Sequence, residues 1–390
     1  MPAFEIAEYQ TRIAKTKVRM AAAGIDVLLV SSPANINYLS GYDGQSAYTH
    51  QVLILAAEEP EPVWIGRAMD VTGAAFTAFM VPERTIGFPD AYVGVPDNHP
   101  MAFVAEYLRG KGCARRTFGV ELDEFFYTAR CHAELVRGLP DARFADASLL
   151  VNWVRLKKSP AEIRLMEQAG RIATKAMAEA IEAIEPGQPQ AEAIARLYAR
   201  QARGVDGYCG DFICKAPNVG TGERAQAVHL HWEDKVHRAG ETTWLELAGC
   251  RHHYHAPLTR TVHLGKAPPR MEDVAKALVE GLEAALAAAR PGATCADVAA
   301  AFQRVAERHA VAKTTRIGYP VGLAYPPNWG ELTASLRAGD TTVLEEGMTF
   351  HCIPGIWSKE MTVVISESFQ VTGRGGAPFC DAPRMLFVKA

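Results

Sequence analysis

Residues 245 to 261 read LELAGCRHHYHAPLTRT, which brings one carboxylate, Glu246, close in sequence to three imidazoles, His252, His253 and His255. In an extended strand alternate residues share a face, so Trp244, Glu246 and Ala248 point one way. His253 and His255 share a face as well and suggest a metal, but no third ligand stands at a sensible spacing. A second imidazole pair lies upstream in AVHLHW, as His229 and His231. A carboxylate can attack carbon or take a proton, and an imidazole titrates near neutrality, so these groups could supply a nucleophile or base together with a proton carrier.

The elements that must hold these groups read as two domains. The chain has 390 residues, 48% hydrophobic and 22% charged, enough for two cores. Net charge is −3 with no long Lys/Arg run, which leaves no electrostatic footprint for nucleic acid or an anionic membrane and points to a small-molecule partner. No apolar window is long enough to span a membrane, and the N-terminus reads as an amphipathic helix rather than a secretory signal. The eight cysteines are scattered without C-x-x-C spacing, as expected of buried thiols in a reducing cytoplasm, with Cys209 and Cys214 the one close pair.

Over the first 150 residues, β-rich runs (DVLLVSS, QVLILAA, PVWIG) alternate with helical patterns, predicting a compact α/β domain. A long helix then begins with Ser159 as N-cap, Pro160 at the first position and Glu162 closing a capping box, and the domain boundary is set near 155. Beyond it two units repeat weakly: a helix ending at Pro186-Gly187 followed by QPQAEAIARLYARQARG, and a helix ending at Pro291-Gly292 followed by ATCADVAAAFQRVAERHA. Two helix pairs around a shared antiparallel sheet predict a pseudo-symmetric α+β domain with a cleft on the sheet.

The stretches RLKKSPAEI, the hairpin ending in TRT, and VLEEGMTFHCIPGI together resemble the creatinase, prolidase and methionine-aminopeptidase superfamily over essentially the whole chain. The resemblance implies a pita-bread catalytic domain over 156–390 preceded by a creatinase-type N-terminal domain over 1–155. Metal-using members place five ligands here: two Asp eleven residues apart on the hairpin, a His in a GHgiG turn, and two Glu near the end. In this chain those positions hold Glu246, Pro257, Tyr319 in GYPVG, Ile353 in IPGI, and Glu367 in VVISESF. Two ions in one site need more anionic oxygen than two carboxylates supply, so neither a metal nor another cofactor is expected.

The blocks GCRHHYHAPLTRT, YPPNWGE and PANINYLSGYDG are similar to ectoine hydrolases, metal-free relatives that open a cyclic amidine to an acetylated diaminobutyrate. The loop 214–232 and the tail 358–368 depart from that pattern. The resemblance implies a cytoplasmic homodimer acting on a small cationic or zwitterionic substrate. Alternatives are a creatine-type guanidine or amidine hydrolase, an Xaa-Pro dipeptidase, or a non-catalytic binding module. A flat amidinium suits a buried carboxylate, so Glu246 is expected as nucleophile or general base. His229, at the place of the superfamily's catalytic histidine, is expected to carry the proton, with His231 as its substitute, and Glu367 to orient water or hold the amidinium. His255 is expected in the pocket wall or as a hydrogen-bonding residue, and Glu331 as a second carboxylate. Tyr325, Trp329 and Trp357 are candidates for stacking on a planar cation. Arg224 is the candidate for a substrate carboxylate. Tyr48 and His50, in a segment that creatinase-type dimers lend to the neighbouring subunit, are expected contacts across the dimer.

Overall fold

The computed structural model describes residues 2–46 and 48–390, and its contacts divide the chain into two compact units, 1–155 and 156–390. In the first unit, helix α1 (Ile6–Ala22) runs into strand β1 (Val27–Val30), which is followed by α2 (Pro33–Ser40), β2 (Val52–Ala56) and β3 (Val63–Arg67). After α3 (Val71–Thr77), β4 (Thr85–Phe88), α4 (Pro100–Gly110), β5 (Thr117–Val120), α5 (Ala129–Gly138) and β6 (Arg143–Asp146) complete a six-stranded mixed sheet, and α6 (Leu150–Arg155) closes the unit. The strand order is β4-β3-β2-β1-β5-β6. Met101, Val104 and Leu108 of α4 and Cys131 and Leu135 of α5 pack with Val27, Leu29 and Phe118 of the sheet, the burial expected of the apolar stripes in their sequences.

The second unit opens with α7 (Pro160–Ala183). Its capping box is formed, with Ser159 accepting from the Glu162 amide and Glu162 accepting from the Ser159 amide. α8 (Gln190–Arg203) and β7 (Asn218–Thr221) lead to a long hairpin, β8 (Thr242–Arg251) and β9 (Tyr254–Leu264), turned at His252 and His253, both with positive φ. The second helix pair, α9 (Pro269–Ala288) and α10 (Cys295–Arg308), repeats the arrangement, and a Thr294–Asp297 capping box starts α10. Strands β10 (Gly318–Pro320), β11 (Thr349–Cys352), β12 (Gly355–Trp357), β13 (Thr362–Val364), β14 (Glu367–Thr372) and β15 (Gly375–Pro378) follow, and β16 (Leu386–Lys389) lies parallel beside β9. Two four-stranded sheets result, β16-β9-β8-β7 and β10-β11-β14-β15, with β12-β13 as a separate two-stranded pair.

One packing contact decides which way the hairpin's side chains point. Leu245 and Leu247 of β8, with Ala256 and Leu258 of β9, share a core with Ala169, Ala173 and Met177 of α7. At Gly249 the helix backbone comes so close that a Cβ would stand 1.9 Å from the Ala169 carbonyl oxygen, so only glycine fits there. With the odd-numbered residues of β8 committed to the helix, strand alternation turns Trp244, Glu246 and Ala248 to the opposite face. Among the described residues no helix is long and apolar enough to cross a membrane.

Candidate active site

The face that carries Glu246 forms the floor of a cleft of 820 Å³ within the second unit. Glu246, 5% exposed, is joined in its lining by Lys215, His229, Trp244, Lys313, Arg316, Tyr319, Trp329, Ile353 and Trp357, among others. Among the described residues Glu246 is the only carboxylate in the cleft lining. Its Oε2 accepts a 2.6 Å hydrogen bond from Asn218 Nδ2, the residue directly opposite it in the β7–β8 register. The Lys215 ammonium stands 3.8 Å from the same oxygen and 4.2 Å from the centre of the Trp329 ring. Oε1 accepts no hydrogen bond from the described residues and lies 3.9 Å from His351 Nδ1.

Behind Glu246 runs a chain of polar groups. The Thr259 amide donates to Ser366 Oγ at 2.7 Å, Ser366 Oγ lies 2.8 Å from His351 Nε2, and His351 Nδ1 lies 3.1 Å from the Tyr319 hydroxyl. Trp329 Nε1 donates to that same hydroxyl at 3.1 Å. Burial, with Lys215 and Arg260 nearby, drives the His351 pKa down to about 3, so its ring is neutral. Burial and the charge of Glu246 push the Tyr319 phenol well up, so it keeps its proton.

Of the expected residues, Glu246, His229, Trp329 and Trp357 line this one cleft. Trp357 packs edge-on against Trp244, and the Lys313 ammonium lies 5.3 Å over its ring. His231 is not in the lining, and its Nδ1 is 3.1 Å from the Pro217 carbonyl.

Several expectations need correction. Glu367 does not face the cleft: Arg260 Nη2 bonds its Oε1 at 2.6 Å, Arg384 adds a 3.3 Å contact, and both partners of the Arg260 pair are fully buried. The reason is strand alternation. Arg260 pairs with Leu245, on the helix side of the hairpin, whereas Thr259 pairs with Glu246 on the cleft side. In the same way Ser366 reaches His351 and its neighbour Glu367 turns away, since a step of one residue exchanges the two faces.

Glu331 is likewise not a cleft carboxylate but a fully buried partner of Lys158 at 2.7 Å. His255 is not in the pocket wall but is the hydrogen-bonding residue that was the other expectation: it lies in the core, where its Nε2 accepts from the Cys214 amide at 3.1 Å and its Nδ1 donates to the His253 carbonyl at 2.7 Å, and burial takes its pKa down to about 3. Tyr325 is buried and stacks on His253, 4.3 Å between centroids. Arg224 pairs with Glu233 at 3.0 Å outside the cleft. The cations that do line it are Lys215, Lys313 and Arg316, and no carboxylate partner is found for Lys313 or Arg316 among the described residues. Tyr48, in the first unit, is 75% exposed, with its hydroxyl accepting from Arg67 at 2.9 Å.

The side chains at the five ligand positions do not make a binuclear metal site. On the cleft face they offer the Glu246 carboxylate, the ring of Pro257, a protonated phenol at Tyr319 and apolar Ile353, while Glu367 is neutralised by two arginines on the other face. The histidines of the RHHYH run do not gather a third ligand either. Among the described residues three ligand-type side chains converge only at His50, His99 and Cys131, all in the first unit.

The sequence reading missed His351, Asn218, Lys215, Lys313, Arg316 and Ser366. For His351 a signal existed: it stands two residues before Ile353 and so shares the face of a position already singled out. For Asn218 there was none, because only the strand register sets it opposite Glu246.

Comparison with known proteins agrees with this architecture. Residues 164–375 match metallopeptidase family M24, and residues 12–157 match the creatinase/prolidase N-terminal domain. The chain is 43% identical over 392 residues to an ectoine hydrolase of Halomonas elongata, covering 98% of this chain and 97% of that protein. It is also 43% identical over 386 residues to an uncharacterised hydrolase/peptidase of Sinorhizobium fredii, covering 99% and 98%. An Xaa-Pro dipeptidase from Bacillus anthracis superposes with a TM-score of 0.82 at 21% identity, over 97% of this chain and 99% of that one, a likeness of fold.

Proposed function

Because the chain belongs to metallopeptidase family M24, with a creatinase/prolidase N-terminal domain ahead of a pita-bread catalytic domain, we propose that it opens the ring of ectoine to N-acetyl-diaminobutyrate without a metal. It is a hydrolase of C–N bonds. The observation that carries the proposal is a cleft with aromatic walls that holds, among the described residues, a single carboxylate and two cations without a carboxylate partner, which is the complement of a flat amidinium bearing its own carboxylate.

In the reaction the oxygen of water becomes bonded to the amidine carbon, one ring C–N bond breaks with its electron pair going to nitrogen, and a proton from water ends on that nitrogen. Glu246 either attacks the carbon first or takes the proton from water, and both routes use Oε1, since Oε2 is held by Asn218. His229, on the same cleft, carries the proton to the departing nitrogen. The enzyme is proposed to work in the cytoplasm as a homodimer, with the exposed Tyr48 available to a neighbouring subunit.

The test is to incubate chelator-treated protein with ectoine and resolve the products by chromatography while assaying bound metal. Ring-opened product with no stoichiometric manganese, zinc or cobalt is expected. Activity that disappears with chelator, or cleavage of creatine or an Xaa-Pro dipeptide in place of ectoine, refutes the proposal. Arg316, exposed at the cleft margin, is assigned to the substrate carboxylate. Arg316→Ala is therefore expected to raise KM about tenfold with a much smaller change in kcat, the loss of one charge-assisted hydrogen bond, as read from steady-state kinetics.

A further inference from the structure

The hydrogen bonds behind Glu246 have only one consistent direction, and it ends in the cleft. Ser366 Oγ receives the Thr259 amide proton, and among the described residues the only acceptor for its own hydroxyl proton is His351 Nε2. The reverse assignment would have His351 Nε2 donate to Ser366 and leave the fully buried hydroxyl proton without an acceptor, a cost of roughly 1–3 kcal/mol. With Nε2 accepting, the neutral ring carries its proton on Nδ1 and donates it to the Tyr319 oxygen. An indole N–H can only donate, so Trp329 gives a second hydrogen bond to that oxygen. Tyr319 thus accepts twice, and its own O–H proton has no protein acceptor among the described residues. Tyr319 lines the cleft, and its hydroxyl and Glu246 Oε1 flank the same ring nitrogen at 3.1 and 3.9 Å.

We infer that Tyr319 is a catalytic residue whose hydroxyl is the fixed hydrogen-bond donor to the oxygen added at the amidine carbon. The inference rests on the amidine-hydrolase reading above. Two donors behind the phenol oxygen polarise its O–H bond and hold its direction, the preorganisation that lets a donor favour the transition state over the ground state. The bonding changes are balanced without any proton leaving Tyr319. Water's oxygen bonds to carbon as the C=N π pair moves to nitrogen. The proton released passes by way of Glu246 or His229 to the departing nitrogen, and the oxygen's lone pair forms the acetamide carbonyl as the C–N bond breaks. The hydroxyl proton of the adduct then leaves for the freed amine. Through these steps the Tyr319 hydrogen bond follows the oxygen as its electron density rises.

The test is Tyr319→Phe assayed on ectoine beside wild type. A kcat lower by roughly 10²- to 10³-fold with KM changed less than about threefold is expected for a donor that acts in the transition state. If wild type turns over ectoine and Tyr319→Phe keeps kcat within about threefold, the inference is overturned and the functional reading stands. A wild-type protein that leaves ectoine intact overturns both. Because the Phe variant strands the Trp329 and His351 protons, a second substitution, Tyr319→3,5-difluorotyrosine, retains their acceptor while making the phenol more acidic. Its kcat–pH profile should acquire a falling limb, as the donor ionises, at lower pH than any in wild type; an unshifted profile overturns the inference.

Discussion

Glu246→Gln is expected to abolish turnover, with kcat lower by roughly 10³-fold or more, in a protein that still folds. The amide has the shape of the carboxylate and its oxygen can still accept the hydrogen bond from Asn218, so the β7–β8 register loses nothing. What disappears is the negative charge, which serves as nucleophile or base and balances the Lys215 ammonium 3.8 Å away. In the variant Lys215, Lys313 and Arg316 face the cleft without an opposing carboxylate, so a flat cation is repelled as well as left unattacked, and substrate affinity falls together with kcat. The measurement is kcat and KM on ectoine beside a thermal melt. A melting temperature within a few degrees of wild type and activity kept within tenfold would remove Glu246 from the chemistry. Unlike Tyr319→Phe, this substitution alters the charge of the site, so the two separate attack from donation.

Which of these features were legible in the sequence follows from how far apart their causes lie. The capping box at Ser159 and Glu162 is a local signal, and the helix starts where it says. Glu246 was legible because it stands at the first ligand position of the family the hairpin resembles, and alternation from that one fixed point sends Leu245 and Leu247 to the helix core. The failures share a physical origin. Alternation shows that neighbours differ in face but not which one faces inward, and around Glu367 that choice is made by Arg260, more than a hundred residues earlier. The side chain there that reaches His351 is Ser366. Arg224 was likewise drawn to an anion, but the anion is Glu233, and the loop 312–316 that supplies Lys313 and Arg316 carries no periodic pattern to place it on the cleft. Hydrogen-bond direction, on which the role of Tyr319 depends, requires the whole chain from Thr259 to Trp329 and no part of it reads locally.

The Arg260–Glu367 pair carries the largest expected effect on stability. Arg260 is fully buried and completely engaged: beside Glu367 Oε1 it donates to the carbonyls of Thr259, Ser366, Ala382 and Pro383, tying β9 to the start of β14 and to the C-terminal segment. Arg260→Met keeps the aliphatic length and deletes every one of these bonds, leaving Glu367 buried with only Arg384 as counter-charge at 3.3 Å. Breaking such a pair from one side costs about 3–5 kcal/mol, which for a unit of this size lowers the melting temperature on the order of 10 °C. The pH dependence has a definite sign. Burial already raises the Glu367 pKa more than the two arginines lower it, and removing Arg260 raises it further. A carboxyl whose folded pKa lies above its unfolded value binds more protons folded than unfolded; its stabilising contribution is present below the unfolded pKa and is lost as pH rises through the folded one. The variant should therefore recover part of its lost stability as the pH is lowered from neutral toward the ordinary carboxylate range, with melts against pH as the measure. Because Glu367 faces away from the cleft, the folded variant at low temperature should keep kcat within a few-fold of wild type. A loss of turnover as deep as that of Glu246→Gln, without a fall in melting temperature, would return Glu367 to the chemistry.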